Sequence, residues 1–263
     1  MPQSHWKDYP AIWDRIGPPL RPNADVAAAF AQAIAGHDDH VLLLGVTREL
    51  AHLGQRLTAV DNNEAMIASV WPGNDARRRA VSGNWDALKF EKESFTAVIG
   101  DGAANFPQYP EGLRAFFAEM ARVTMQGGVL ALRVFARPEY PEAIGEIHEH
   151  VMRRGIASFH AFKWRLAMAV VSREGDANIA VTAIRDNFNR MFYDRGALAE
   201  ATGWPMADIN TIDAYKDSPD VYTFPTIGQF KSQIPDSFRA IRTMDSGSYE
   251  LADRCPLLVM ERV

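Results

Sequence analysis

With 263 residues, 47% hydrophobic and 23% charged, the chain has the size and composition of one packed domain, which excludes a mostly disordered or fibrous protein. Its formal net charge of −5 argues against a general affinity for the nucleic-acid backbone, which needs lysines and arginines massed on one face. The single cysteine, Cys255, excludes an internal disulfide framework or a cysteine zinc cluster, and no apolar run approaches the roughly 20 residues that span a bilayer. The expectation is a cytoplasmic protein with a small-molecule substrate, no nucleic-acid or membrane partner and no metal.

The first forty residues are rich in aromatics and prolines, among them Trp6, Tyr9, Trp13, Pro18, Pro19 and Pro22. Asn23 can cap a helix over 24–34 that ends at Gly36. From there strands and helices alternate. Val41, Leu42, Leu43 and Leu44 form an unbroken apolar run stopped by Gly45, the pattern of a parallel strand buried on both faces. A short helix over 49–55 follows, then a strand over 57–60 ending at Asp61, a helix over 64–70 and a short strand over 80–82. The adjacent Arg77, Arg78 and Arg79 read as a solvated turn before that strand. A fourth strand, 95–100, ends in Asp101 and Gly102. The helix over 111–125 carries Leu113, Phe116, Phe117, Met120 and Val123 on one face, Gly127 and Gly128 break it, and a fifth strand covers 129–135.

Beyond Pro138 the sequence predicts four helices, 141–154, 158–171, 178–192 and 196–202, the last capped by Asp194 and closed by Gly203, with no strand among them. Strands are predicted again over 209–215, 221–224 and 256–263. The expected architecture is α/β: a doubly wound, mainly parallel seven-stranded sheet in one domain. An N-terminal cap would cover 1–37, a cofactor-binding half 38–138, a helical insertion or lid 139–204 and C-terminal strands 205–263.

In such a sheet the ligand crevice lies at the carboxyl ends of the strands. Three loops should therefore converge, 45–49, 61–66 and 101–105. The first offers a glycine turn and free N–H groups suited to a carboxylate. The second places Asp61 where a carboxylate accepts bonds from two ribose hydroxyls; its alternative role is to cap the next helix. The third adds Asp101 and the flexible Gly102.

The series from Val41 to Thr47, then Ala59 to Asn63, Gly83 to Trp85, Ala97 to Gly102, and Ala121 to Val123 with Gly127 and Gly128, resembles the class I S-adenosylmethionine-dependent methyltransferase family in order and spacing over roughly 38–136. The resemblance implies that Gly45 and Thr47 approach the methionine moiety and Asp61 binds the ribose. Asn62 and Met66 would flank the adenine, Asn84 and Trp85 would meet its edge, and Asp101 and Gly102 would lie near the methionine amino group and the reacting methyl. Two departures stand out. Gly45 is followed by Val46, Thr47, Arg48 and Glu49 rather than by further glycines, and Asn84 stands where many members carry an acid. An asparagine carbonyl accepts the same hydrogen bond without the charge.

Methyl transfer from a sulfonium is an in-line displacement that needs alignment and desolvation more than acid–base help. The candidate bases are His148, His150, His160, Glu146 and Tyr9, none of them compelling from the sequence, so no catalytic residue is assigned. Trp6, Tyr9 and Trp13 are spaced to share a helical face and either close over the site or staple the cap; Phe159, Phe162 and Trp164 pose the same choice. Three other functions compete with this one. A nicotinamide-dependent oxidoreductase fits less well, because the second and third glycines of a dinucleotide turn are missing; a non-catalytic nucleoside-binding protein is an alternative, and an aminopropyl transferase lacks an acidic acceptor-site pattern.

Overall fold

The structure is a computed structural model that describes residues 9–174 and 177–263. Helices α1 (Tyr9–Ile12) and α2 (Ala24–Ala33) precede β1 (His40–Leu44), β2 (Arg56–Asp61), α3 (Glu64–Ser69), β3 (Arg78–Ser82), β4 (Phe95–Asp101), α4 (Glu111–Val123) and β5 (Thr124–Arg133). Then come α5 (Ile144–Met152), α6 (Phe159–Glu174), β6 (Asn178–Ala180), α7 (Val181–Met191), α8 (Arg195–Thr202), α9 (Met206–Ile209), β7 (Val221–Thr223), α10 (Ile227–Ser232), β8 (Phe238–Met244) and β9 (Leu257–Arg262).

Seven of the strands make one sheet in the order β3-β2-β1-β4-β5-β9-β8. β1 pairs in parallel with both β2 and β4, whereas β9 runs antiparallel to β5 and β8. The chain turns one way from β1 to β2 and β3 and the other way to β4 and β5, so the strand order reverses at β1 and β4 and leaves a crevice at their carboxyl ends. The expected seven-stranded, mainly parallel fold is what forms.

Side chains of period two explain why the central strands read as unbroken apolar runs. Val41, Leu43, Ala59, Ile99 and Ala131 pack on one face, against Val26 and Phe30 of α2. Leu42, Leu44, Val60, Val98 and Leu132 pack on the other, against Leu113, Phe116, Phe117 and Met120 of α4. Each fully buried side chain of this kind contributes roughly 1.5–3 kcal/mol. A third cluster lies outside the sheet, where Ile147, Phe159, Phe162, Leu166, Phe188, Leu198 and Trp204 close a helical layer of their own.

The structure departs from the expected elements at five places. The helix predicted over 49–55 shrinks to a 3-10 turn, Arg48–Leu50, and a Cβ on Gly54 would lie 2.5 Å from Val41 Cγ2, so the chain passes too close to β1 for a continued helix. The helix over 178–192 loses its first turn to β6, which pairs with β7 in a separate two-stranded sheet, so a strand does interrupt the helical segment. The predicted strand over 209–215 is helical: α9 runs into a 3-10 turn, Asn210–Tyr215, and Ile209, Ile212 and Tyr215 are buried three residues apart, the period of a 3-10 helix. β8 escaped prediction because it is a mostly exposed edge strand whose alternation breaks at Ala240, where φ is +53° and the register with β9 shifts. α10 also went unpredicted, although Thr226 and Gln229 form a capping box that the sequence spells out.

Other local signals behave as written. Asn23 Oδ1 accepts from Val26 N–H at 3.0 Å, Asp194 Oδ1 accepts from Ala197 N–H at 2.9 Å, and Gly203 closes α8 with φ +79°. Among the described residues no helix is long and apolar enough to cross a membrane. Trp6 and the side chain of Tyr9 lie outside the described residues, so the proposed three-aromatic face is represented by Trp13 alone.

Candidate functional site

One cavity of about 580 Å3 opens at the carboxyl ends of β1 to β4, within the size range of small-molecule sites. Gly45, Thr47, Asp61, Asn62, Met66, Asn84, Trp85, Asp101 and Gly102 all line it. The fold thus gathers into one space all nine residues singled out from sequence.

Gly45 leaves β1 with φ +93°, a conformation that a side chain strains, and its N–H donates to Val60 O at 2.8 Å. A Cβ there would stand 3.7 Å from the Trp85 ring and 3.9 Å from Asp61 Oδ2, so the bare Cα keeps open the space between them. Trp85 is fixed in turn by its Nε1, which donates to the same Val60 carbonyl at 2.7 Å.

Asp61 is not the cap of the helix that follows it. Asn63 takes that role, accepting from the N–H groups of Ala65 and Met66 at 2.9 and 3.2 Å. Asp61 Oδ1 accepts from Asn63 N–H at 2.8 Å, which aims the carboxylate into the cavity. Burial raises its pKa to about 6, while the N–H groups of Asn63, Asn62 and Val46 pull it down. A carboxyl raised in this way gains from a ligand that supplies hydrogen-bond donors to its charged form.

Asp101 differs. Both of its oxygens are engaged by Arg133, through a short contact from Nε and a 3.0 Å bond from Nη2. Burial raises the Asp101 carboxyl and the guanidinium beside it opposes that; the Arg133 side chain, fully buried, is held charged by the same contact. Arg133 also donates to Pro19 O and to Tyr249 Oη, each at 2.8 Å. It therefore joins the tip of β4 to the segment 13–22 that straps the mouth. That strap is tied a second time, by Arg21 Nε to Glu49 Oε1 at 2.6 Å and by a short Arg48–Asp14 pair. Gly102, with φ +68°, sits against the Phe135 ring, which a Cβ would meet at 2.7 Å.

Four of the five candidate bases are elsewhere, and the side chain of the fifth, Tyr9, lies outside the described residues. His148 stacks on Phe192 at 5.3 Å, His150 Nδ1 meets Arg165 Nη2 at 2.7 Å, and Glu146 accepts from Ala143 N–H at the start of α5. His160 Nε2 bonds Arg15 O at 3.1 Å, and burial holds its pKa at about 4. None of these four lines the cavity. Phe159 and Phe162 are core, packed on Phe188 and Trp204, while Trp164 and Trp13 are cavity wall. The reading from sequence missed Arg133, hidden in an apolar strand, and Phe106, Phe135, Tyr222 and Phe224, which complete the wall. Cys255 is buried, although it lies at the end of a 3-10 turn ahead of β9 and not in the terminal strand. Among the described residues no group of three or more His, Cys, Asp or Glu side chains is placed to hold a metal ion.

Residues 45–132 match the family described as a methyltransferase domain. A demethylmenaquinone methyltransferase of Corynebacterium glutamicum is 35% identical over 109 residues, 41% of this chain and 44% of that protein, so the match spans less than half of either. Among solved structures, the S-adenosylmethionine-bound amino pentose methyltransferase CalS10 of Micromonospora echinaspora superposes with a TM-score of 0.55 at 14% identity, over 97% of this chain and 96% of its own. A Rhodobacter sphaeroides protein described among the Zn-dependent alcohol dehydrogenases gives a TM-score of 0.60 at 12% identity, over 100% and 99%. At such identities the likeness is one of fold alone. The matched segment contains the tips of β2, β3 and β4 and the Gly45 turn after β1. Residues 45–132 thus match a methyltransferase domain, and the sheet that carries them has the fold of a solved methyltransferase.

Proposed function

We propose that the protein transfers a methyl group from S-adenosylmethionine to a small-molecule acceptor. The observation that carries this reading is the Gly45, Asp61 and Trp85 arrangement, in which a carboxylate, an aromatic face and an open backbone turn bound one space at the switch point of the sheet. Asp61 accepts the two ribose hydroxyls, Asn62 and Met66 flank the adenine, and Asn84 and Trp85 meet its edge. Gly45 and Thr47 receive the methionine end. A carboxylate offers about four lone-pair sites, so Asp101 can hold the amino group while Arg133 occupies two of them. Gly102, against the Phe135 ring, lies near the reacting methyl.

When bound, the cofactor supplies an electrophilic methyl on a good leaving group. The chain aligns the partners and excludes water with its strap and helical layer. The similarity to a demethylmenaquinone methyltransferase supports a small molecule as acceptor. Transfer of labelled methyl from S-adenosylmethionine to a small-molecule panel tests the reading. Saturable binding of S-adenosylhomocysteine with no transfer to any member would instead favour a binding protein without turnover.

A further inference from the structure

The side of the cavity away from the strand tips is made of rings. Trp13 comes from the strap, Phe106 from the loop after β4, Phe135 from the end of β5, Trp164 from α6, and Tyr222 and Phe224 from β7 and beyond. Phe106, Tyr222, Trp164, Phe135 and Phe224 form a continuous arc. Phe106 meets Trp85 at 5.7 Å and Tyr222 at 5.5 Å; Trp164 meets Tyr222 at 5.4 Å, Phe135 at 5.4 Å and Phe224 at 5.3 Å, all edge to face. The arc thus runs from the adenine end, at Trp85, to the Phe135 ring that abuts Gly102.

Two further observations narrow the ligand. Among the described residues, the charged ones that line the cavity, Asp61, Asp86 and Asp101, are all acidic, none belongs to the arc, and no lining cation faces a phosphate or carboxylate. Among the described residues, Nε1 of Trp13 and Nε1 of Trp164 are buried donors without a hydrogen-bond partner, an arrangement that costs free energy. An ammonium cannot accept from them; an oxygen can.

We propose that the acceptor is a flat hydroxylated aromatic ring, stacked within this arc and held through its oxygen by one or both indole N–H groups. The inference rests on the methyl-transfer reading above. None of His148, His150, His160 and Glu146 lines the cavity, so the phenolic proton is lost to water in the course of transfer. The oxygen pair then forms the new bond to the methyl carbon, and the pair of the breaking S–CH3 bond passes to sulfur, which becomes a neutral thioether.

The test titrates 2-naphthol, its alicyclic counterpart decahydro-2-naphthol and 2-naphthylmethylammonium into the whole chain, with and without S-adenosylhomocysteine, by calorimetry and tryptophan fluorescence. The expected result is 2-naphthol binding at least tenfold tighter than either counterpart. Trp164→Phe and, separately, Trp13→Phe should weaken 2-naphthol about fivefold or more in at least one case, with S-adenosylhomocysteine affinity within twofold of the parent. Equal affinity for the three compounds, or 2-naphthol affinity unchanged in both variants, overturns the proposal. Failure of S-adenosylhomocysteine to bind while naphthol selectivity persists defeats the cofactor reading instead and leaves the aromatic site standing. Trp13 belongs to the strap outside the helical layer, so its variant keeps the test decisive should Trp164→Phe fail to fold.

Discussion

The strand-tip side of the cavity takes Gly45, Asp61, Asn84 and Asp101 from the ends of four successive strands, whereas the opposite side takes Trp13, Phe106, Trp164 and Tyr222 from four unconnected segments. One side repeats a unit, a buried strand followed by a polar turn, so chain order alone brings its residues together. The other side is assembled by packing. Arg133 is where the two meet, since it holds Asp101 at a strand tip, Pro19 O on the strap and Tyr249.

Breaking that junction should have the largest effect. Arg133→Met leaves Asp101 buried without its cation, and the loss expected for a broken buried pair is about 3–5 kcal/mol. Urea unfolding measures it, and a double variant with Asp101→Asn should recover part of the loss because the stranded charge is gone. If Arg133→Met proves nearly neutral, the two sides are not joined as described.

Gly45→Val addresses the strand-tip side alone. A β-branched residue at φ +93° adds roughly 1–3 kcal/mol of strain, and its methyls enter the space between Trp85 and Asp61. S-adenosylhomocysteine affinity should fall at least tenfold, while 2-naphthol affinity changes little. A parallel loss of both would blur the division.

Acidity offers a finer probe. With the Asp61 pKa raised to about 6, the folded chain holds a proton that the unfolded chain has released between pH 3.8 and about 6. This group therefore lowers stability as pH rises through that window, and above about 6 the ionised carboxylate is ready for hydroxyl donors. S-adenosylhomocysteine affinity should rise with pH up to about 6 and then level off. Asp61→Asn should flatten the profile.

The smallest effect belongs to the helical layer behind the aromatic wall. Lys163 is buried 4.9 Å from the centre of the Tyr215 ring, and desolvation lowers its pKa from 10.5 to about 7. Between those values the unfolded chain keeps a proton that the folded chain sheds, so stability rises with pH across the window. Lys163→Met should be neutral or stabilising at pH 7, by about 2–4 °C in Tm for each kcal/mol recovered, and should weaken the pH dependence. Destabilisation by the same substitution would show that the ammonium has a structural task.

How much of this could be read from the sequence follows the same division. β1, β2, β4 and α4 were legible because unbroken apolar runs and a 3.6-residue face each admit one interpretation. Asp61 and Gly45 were legible as strand ends, yet only the structure shows Asn63 capping α3 and so freeing Asp61. The aromatic wall was not legible. Nothing local distinguishes Phe159 and Phe162, which fill a core, from Trp164 on the same helix, which faces the cavity. Ile209, Ile212 and Tyr215 were misread as a strand because a three-residue period and an alternating one are hard to separate over so short a span.

The strand-tip account stands most directly on one titration, S-adenosylhomocysteine into the parent chain and into Asp61→Ala. It predicts one site per chain and an affinity roughly 10- to 100-fold weaker in the variant, the loss of two charge-assisted bonds at about 1.5–3 kcal/mol together. Equal affinity in a correctly folded variant would contradict it.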